Sequence, residues 1–141
     1  NTGIFGPAVG KTTKVPVLGI IRAGAPIFAD DHIIGWEEVP AEDTKNGDHF
    51  FLRVTGDSMT GARIYEGDLV FVRRQDYADS GDIVVVMVND QEATIKRIYF
   101  APDTIILQSE NPKYRPQTFT EEDAERVKII GKVLWFKGEV R

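Results

Sequence analysis

The sequence predicts a single, mainly β domain, on three observations. The chain has 141 residues, of which 42% are hydrophobic and 28% charged, enough for one core of ordinary size but not for two domains. Its apolar runs are short and rich in β-branched and aromatic residues, as strands are. Gly-Asp pairs that begin at Gly47, Gly56, Gly67 and Gly81 separate these runs and are typical of turns.

The N-terminal stretch differs in composition from the rest of the chain. Residues 1–16 are rich in glycine and proline and are predicted to form an extended linker, followed by one folded domain over residues 17–141. Because the chain begins with Asn1 rather than Met, we expect that a further N-terminal domain precedes it in the full protein.

Strands and two short helical turns account for most of the domain. A helical turn is predicted over Met59–Ile64, and a second over Glu121–Arg126, where Thr120 and Asp123 resemble a capping box. Length and β-branched content predict strands at Leu69–Val72, Ile83–Val88, Ala93–Phe100, Thr104–Leu107 and Val127–Phe136.

Composition narrows the class of function. The formal net charge of -5 argues against a DNA-binding surface, which needs clustered lysine and arginine. The absence of cysteine excludes disulfides, thiolate metal sites and a cysteine nucleophile, and fits a cytoplasmic protein. The longest apolar run, Ile83–Val88, is far shorter than the roughly 18 residues that a membrane helix needs.

Ser58 is a candidate nucleophile because it lies in a polar, glycine-flanked turn after an apolar run. The usual serine motifs fail here: Thr60 replaces the last glycine of G-x-S-x-G, and Gly61 replaces the lysine of S-x-x-K. The two histidines, His32 and His49, lie among polar, loop-like neighbours and are interpreted as solvated surface residues. Their spacing predicts no metal site.

Lysine is the remaining candidate base. Burial lowers the pKa of a lysine amine, and the neutral amine can then take a proton from a serine. Lys96 is the best-placed lysine, in a strand whose alternation puts it on the same face as Thr94 and Ile98. A lysine in a strand is more often a solvated edge charge, and a serine beside Gly-Asp is more often a turn residue, so the residues alone leave Ser-Lys catalysis open.

Several blocks resemble one known family, the C-terminal domain of LexA-type self-cleaving repressors, which also includes phage CI-like repressors and UmuD-like proteins. The blocks occur in the family's order and are Gly56-Asp-Ser-Met59, Gly67-Asp-Leu-Val70, Gly81-Asp-Ile-Val84 and Ala93-Thr-Ile-Lys-Arg97, with Ala23-Gly24 upstream. The resemblance implies a compact LexA/signal-peptidase-like β fold, with no cofactor and no metal. Asn111-Pro112-x-Tyr114-x-Pro116 also resembles a family loop, to which we assign no chemistry.

The same resemblance implies a self-cleaving peptidase with a Ser-Lys dyad. Ser58 would be the nucleophile, Lys96 its base and Ala23-Gly24 the bond that is cut, in a cleavage loop over residues 20–29. Arg22 departs from the small or apolar residue expected before Ala23. Backbone N–H groups of the turn formed by Asp57, Ser58 and Met59 would stabilise the oxyanion. Loop anchoring is expected from Val17, Leu18, Ile20 and Ile21, although an ordinary core strand is the alternative for Val17–Ile21.

Partners are also implied by the resemblance. A RecA filament would act as co-protease, and DNA would be bound only through the N-terminal domain that we expect outside this chain. A homodimer is expected, with Val133–Phe136 pairing across a two-fold axis. Two alternatives stay open: a UmuD-like accessory subunit of a translesion polymerase, and a dimerisation module without significant catalysis.

Overall fold

One β-sheet organises the molecule, as the sequence predicts. The structure is a computed structural model that describes residues 10–138, and within them it contains nine strands and four short 3-10 helices. The strands are β1 (Thr12–Leu18), β2 (Ile33–Pro40), β3 (His49–Arg53), β4 (Leu69–Arg74), β5 (Ile83–Val88), β6 (Thr94–Ala101), β7 (Thr104–Gln108), β8 (Gln117–Thr120) and β9 (Val127–Lys137). The mainly β fold class is therefore confirmed.

The order of strands brings distant parts of the chain together. The sheet runs β2-β1-β3-β4-β9-β5-β6-β7-β8, so the long strand β9 lies between β4 and β5. All neighbours are antiparallel except β1 and β3, which are parallel. Because β9 pairs first with β5 and then with β4, it joins the two halves of the sheet into one body.

Alternation along the strands builds the core on both faces of the sheet. In β5, Val85 and Met87 belong to one apolar cluster, while Val84 and Val86 belong to another. The first of these, here called the central cluster, consists of Leu18, Ile21, Phe50, Leu52, Val54, Met59, Ile64, Val70, Val72, Val85, Met87 and Ile95. A strand buried on both faces reads as a continuous apolar run, which explains why β5 was predicted with its observed bounds.

Two of the strands that the sequence did not predict, β2 and β8, carry few buried side chains. Burial in β2 is confined largely to Val39, and in β8 to Phe119. These two strands form the two edges of the sheet, where one side of the strand faces solvent. Their polar residues therefore hide the apolar pattern that identifies the inner strands.

The predicted linker over residues 1–16 is wrong for residues 12–16. These residues form most of β1, which pairs with β2 on one side and with β3 on the other. Val15 is buried, because its side chain packs with Phe51 and Phe71 on the face opposite the central cluster. Residues 1–9 lie outside the described part of the chain.

The helical turns are shorter than their predicted spans or lack the predicted cap. The first is a 3-10 helix over Thr60–Ala62, inside the predicted Met59–Ile64. The second covers Glu121–Arg126 as predicted, but the Thr120 side chain makes no capping hydrogen bond. Within residues 10–138, no helix is long and apolar enough to cross a membrane.

Gly131 is the position at which β9 tolerates no side chain, so we expect Gly131→Ala to destabilise the fold. A Cβ there would lie 2.5 Å from Val72 Cγ1 and 2.6 Å from the Arg73 carbonyl oxygen. Overpacking of this kind costs about 1–3 kcal/mol in free energy of unfolding, which urea denaturation measures. Gly35→Ala is the matched control, since its Cβ would have no neighbour closer than 4.0 Å. Equal effects of the two substitutions would contradict this account.

Candidate active site

The Ser58 turn follows β3 and is anchored to the core by the buried side chain of Met59. Met59 is 1% exposed and packs in the central cluster, whereas Asp57 and Ser58 are half-buried at the surface. Gly56 has φ of +78°, a conformation that favours glycine, and so allows the chain to turn directly after the strand. The Thr60 hydroxyl donates to the Asp57 carbonyl oxygen at 3.2 Å. The turn is therefore fixed on its core side, and Ser58 is partly exposed.

Lys96 lies in β6 opposite Val84 of β5. Its Nζ donates to Ser109 Oγ at 2.7 Å and lies 5.8 Å from the centre of the Tyr114 ring. Ser109 is 5% exposed, so the amine is directed into the protein rather than into water. Desolvation by burial holds the pKa of Lys96 below its ordinary value, because water no longer stabilises the charged form.

A loop over residues 109–114, between β7 and β8, contacts both the serine turn and the lysine. The Gly61 N–H donates to the Glu110 carbonyl oxygen at 2.6 Å, and Asn111 Nδ2 donates to the Asp57 carbonyl oxygen at 2.8 Å. The same loop carries Ser109, which accepts the hydrogen bond of Lys96. The 109–114 loop therefore contacts both the turn that contains Ser58 and Lys96, which is 38 positions further along the chain.

Asp57 is the charged residue closest to Ser58 in sequence, and its carboxylate is paired with residues of the 109–114 loop. Its carboxylate accepts hydrogen bonds from the Tyr114 hydroxyl and from Lys113 Nζ, the latter at 3.1 Å. These two bonds, that of Tyr114 first, hold the pKa of Asp57 below its usual range. The carboxylate is thus an ionised, paired group that anchors the loop to the turn.

The predicted cleavage loop runs past the start of β6. Ile21 is 1% exposed in the central cluster, and its carbonyl oxygen accepts a hydrogen bond from the Ala93 N–H at 3.0 Å. Ala23 packs partly buried against the same cluster, while Gly24 is exposed and has φ of +83°. The chain therefore reverses at Gly24, directly after the residue that packs inward.

Comparison with known proteins identifies the family. A family model described as "Peptidase S24-like" matches residues 16–134. The chain belongs to the peptidase S24-like family. It is also similar to proteins named "LexA repressor": one from Magnetococcus marinus is 43% identical over 132 residues, which are 94% of this chain and 55% of the relative.

Other relatives of the same name are comparably similar. The protein from Citrifermentans bemidjiense is 45% identical over 124 residues, covering 88% of this chain and 61% of the relative. That from Geotalea uraniireducens is 48% identical over 121 residues, covering 86% of this chain and 59% of the relative. The chain therefore spans only part of the length of these relatives.

Within this S24-like chain, the predicted site residues do not all make the predicted contacts. Among residues 10–138, the Lys96 amine donates to Ser109, and no hydrogen bond joins it to Ser58. Val17 and Leu18 lie in β1, as in the core-strand alternative. Ile20 is 46% exposed where the chain leaves β1, and its role in loop anchoring stays a prediction.

Sequence reasoning missed Ser109, Asn111 and Tyr114 as parts of the site. Asn111 and Tyr114 belong to the Asn-Pro-x-Tyr-x-Pro block that was noticed but given no role. That block is the sequence feature that could have identified Asn111 and Tyr114 as parts of the site. Ser109 offered no signal of its own, since only the pairing of β6 with β7 shows that it lies beside Lys96.

The interpretation of both histidines as solvated surface residues is wrong. His32 is 1% exposed and His49 is 7% exposed. The ring of His49 stacks on Phe71 with centroids 5.1 Å apart, and burial lowers its pKa. Polar neighbours along the chain suggested exposure, but the His49 ring packs on Phe71 of β4, and the His32 ring contacts the backbone of Arg22 and Ile27. The described residues contain no cluster of potential metal ligands.

The Ser109 hydroxyl accepts a hydrogen bond from the lysine amine, so we expect Ser109→Ala to lower the pKa of Lys96 still further. A charged donor gains more from that acceptor than a neutral one, and its loss therefore disfavours the ammonium form. NMR titration of the lysine side-chain signals in a Ser58→Ala background measures this pKa. Ser80→Ala is the control, because Ser80 Oγ accepts from the Phe100 N–H instead. An unchanged or higher pKa in Ser109→Ala would contradict the assignment.

Proposed function

We propose that this chain is the self-cleaving serine peptidase domain of a LexA-like transcriptional repressor, which cuts its own Ala23-Gly24 bond with Ser58 and Lys96. The observation that carries the proposal is the 109–114 loop, which bonds to the Ser58 turn through Asn111 and to Lys96 through Ser109. Membership of a peptidase family and similarity to proteins named "LexA repressor" support it.

Lys96 serves as general base in this mechanism. Its neutral amine takes the hydroxyl proton of Ser58, which attacks the Ala23 carbonyl carbon, and the proton passes to the departing amine of Gly24. Water then hydrolyses the ester on Ser58. Hydrogen bonds between catalytic groups often tighten only in the reacting complex, so we expect the amine to meet the Ser58 hydroxyl once the bond is in place.

The Ser58 turn has the groups that an oxyanion requires. Among the described residues, the backbone N–H groups of Ser58 and Met59 donate no hydrogen bond, and they lie next to the attacking oxygen. Two such donors stabilise the negative charge that develops on the Ala23 oxygen. Asp57 does not supply a competing charge, because Lys113 and Tyr114 pair with its carboxylate.

The substrate is part of the same chain. The hydrogen bond between Ile21 and Ala93 holds the loop beside β6, three residues before Lys96. Attack within one molecule has an effective molarity that can reach ~10⁵ M or more when the geometry is right. The cleavage rate is then proportional to the fraction of molecules with the loop in place, which a RecA filament would raise. DNA would be bound by a segment outside this chain.

Incubation of the chain at alkaline pH should yield residues 1–23 and 24–141, detected by intact mass spectrometry. The rate should rise with pH and level off, because only the neutral amine is a base and burial brings its pKa below that of ordinary lysine. Ser58→Ala should remain intact. The half-life should be unchanged on dilution, because nucleophile and substrate share one chain.

Lys96→Arg tests whether Lys96 acts as a general base or only supplies a positive charge to the site. Arginine keeps the charge, but its guanidinium is not deprotonated in proteins, so the variant should not cleave at any accessible pH. Lys113→Arg is a matched control that should cleave like the parent, since the charge paired with Asp57 is kept. Cleavage by Lys96→Arg at the parent rate would overturn the Ser-Lys mechanism.

We also propose that the chain forms a homodimer through the end of β9. Leu134, Trp135 and Phe136 are 37–40% exposed, which is unusual for three consecutive large apolar residues. Pairing of β9 with β5 ends at Lys132, so within residues 10–138 the following residues pair on one side only, with β4. An apolar strand with an open edge can pair with a second copy across a two-fold axis.

Leu134→Glu should convert the dimer to a monomer, measured by sedimentation in a Ser58→Ala background. The two-fold axis brings both introduced carboxylates together, and apolar contact is lost. Ile34→Glu is the control, because Ile34 is 47% exposed on β2, at the far edge of the sheet. A parent chain that is monomeric at high micromolar concentration would refute the dimer, as would a monomer produced only by Ile34→Glu.

A further inference from the structure

His32 is a buried histidine for which the Ser-Lys mechanism has no use. It lies in a 3-10 helix over Asp30–His32, directly before β2, and is 1% exposed. Both ring nitrogens have backbone partners in the predicted cleavage loop: Nε2 lies 3.1 Å from the Arg22 nitrogen, and Nδ1 lies 3.0 Å from the Ile27 carbonyl oxygen. One imidazole thus joins the two ends of the segment that contains Ala23-Gly24.

These partners assign the proton on the ring. The Arg22 N–H is a donor, so Nε2 must accept; the Ile27 oxygen is an acceptor, so Nδ1 must carry the hydrogen and donate it. The hydrogen-bond network therefore assigns the neutral imidazole with the proton on Nδ1. No other side chain type offers an acceptor and a donor at these two positions of one rigid ring.

Few other bonds hold the loop between its two ends. The Gly19 N–H donates to the His32 carbonyl oxygen at 2.9 Å, and the Ala93 N–H to the Ile21 oxygen at 3.0 Å, which fixes the chain as it enters the loop. From Arg22 to Ala25 the chain forms a turn at Ala23 and Gly24, and within the described residues this stretch makes no backbone–backbone hydrogen bond to another segment. The contact of Arg22 with Glu92, at 3.9 Å between exposed side chains, contributes little.

We propose that His32 is a positioning residue for self-cleavage, whose imidazole closes residues 22–27 into a loop and holds the Ala23-Gly24 bond beside β6. This inference rests on the proposed function, since it assigns the substrate loop of the same reaction. Ala23 packs against the central cluster, whereas Gly24 is exposed. The ring fixes the direction in which the chain passes from one to the other, and hence which face of the Ala23 carbonyl is presented.

Positioning of this kind changes the cleavage rate, because it changes the fraction of molecules in which the loop is closed. An intramolecular reaction gains its advantage only when the reacting atoms are held in the correct geometry. When the clamp is lost, the loop samples many conformations, and the observed rate falls with the fraction that remains correctly placed. The chemistry of Ser58 and Lys96 is untouched.

Amide hydrogen exchange at Arg22, followed by NMR, tests the clamp without cleavage. In a Ser58→Ala background, His32→Leu should speed exchange at Arg22 by about fivefold or more, as expected for a lost hydrogen bond. His49→Leu is the matched control, since it also removes a buried imidazole, and it should leave Arg22 exchange unchanged. Equal exchange in the parent and in His32→Leu would overturn the proposal.

Cleavage kinetics test the consequence for the reaction. In chains that retain Ser58, His32→Leu should cleave about tenfold or more slowly than His49→Leu at equal folded fraction, because only the first loses loop closure. If His32→Leu loses protection at Arg22 but cleaves at the parent rate, the positioning role is wrong. If the parent itself never cleaves, the proposed function fails, while hydrogen exchange still decides whether the clamp exists.

Two further measurements cover the case in which His32→Leu does not fold. Nitrogen-15 NMR of the His32 ring in the Ser58→Ala chain should show the proton on Nδ1, and a proton on Nε2 would refute the clamp. His32→Gln keeps an acceptor that can reach the Arg22 N–H but not the rigid two-ended link. It should therefore retain more of the Arg22 protection than His32→Leu does, and a ranking in the opposite order would contradict the proposal.

Discussion

The hydrogen bonds of the 109–114 loop are the constraint on which the candidate site depends. Gly61 approaches this loop so closely that a Cβ would lie 2.4 Å from the Glu110 carbonyl oxygen, and the backbone bond between them is 2.6 Å long. Glu110 in turn pairs with Arg97 at 2.8 Å, next to Lys96. The serine turn and the lysine strand are thus fastened to one short segment, and neither can move independently of the other.

The electrostatic arrangement follows from this geometry. A carboxylate beside Lys96 would stabilise the ammonium and oppose its role as a base. The nearest acidic residue in sequence to Ser58 is Asp57, but Tyr114 and Lys113 engage both of its oxygens. The cause that lowers the Lys96 pKa is therefore burial, and among residues 10–138 no ion pair with Lys96 offsets it. The 109–114 loop thus both pairs with the Asp57 carboxylate and covers the Lys96 amine.

Packing links the cleavage loop to the same unit. Ile21, Met59 and Ile95 lie next to the predicted cleavage site, nucleophile and base, and all three belong to the central cluster. Their mutual burial sets the distance between backbone segments that are remote in the chain, because a close-packed core leaves little freedom. Gly24 and Ala25 are exposed between Ala23 and Ile27, which both pack against the central cluster, and His32 joins Arg22 to Ile27 by hydrogen bonds across this exposed stretch.

The sequence by itself determined the mainly β class, the strands β4, β5, β6, β7 and β9 and the residues proposed as the dyad, because local alternation and short motifs can be recognised along the chain. Ile83–Val88 was recognisable since both its faces are buried. Tertiary structure alone decided the rest: β2 and β8 are edge strands whose pattern is polar, Thr12–Leu18 is a strand through its two neighbours, and His32 is buried although its neighbours in sequence are polar. Ser109 meets Lys96 only through cross-strand register, which no local pattern encodes.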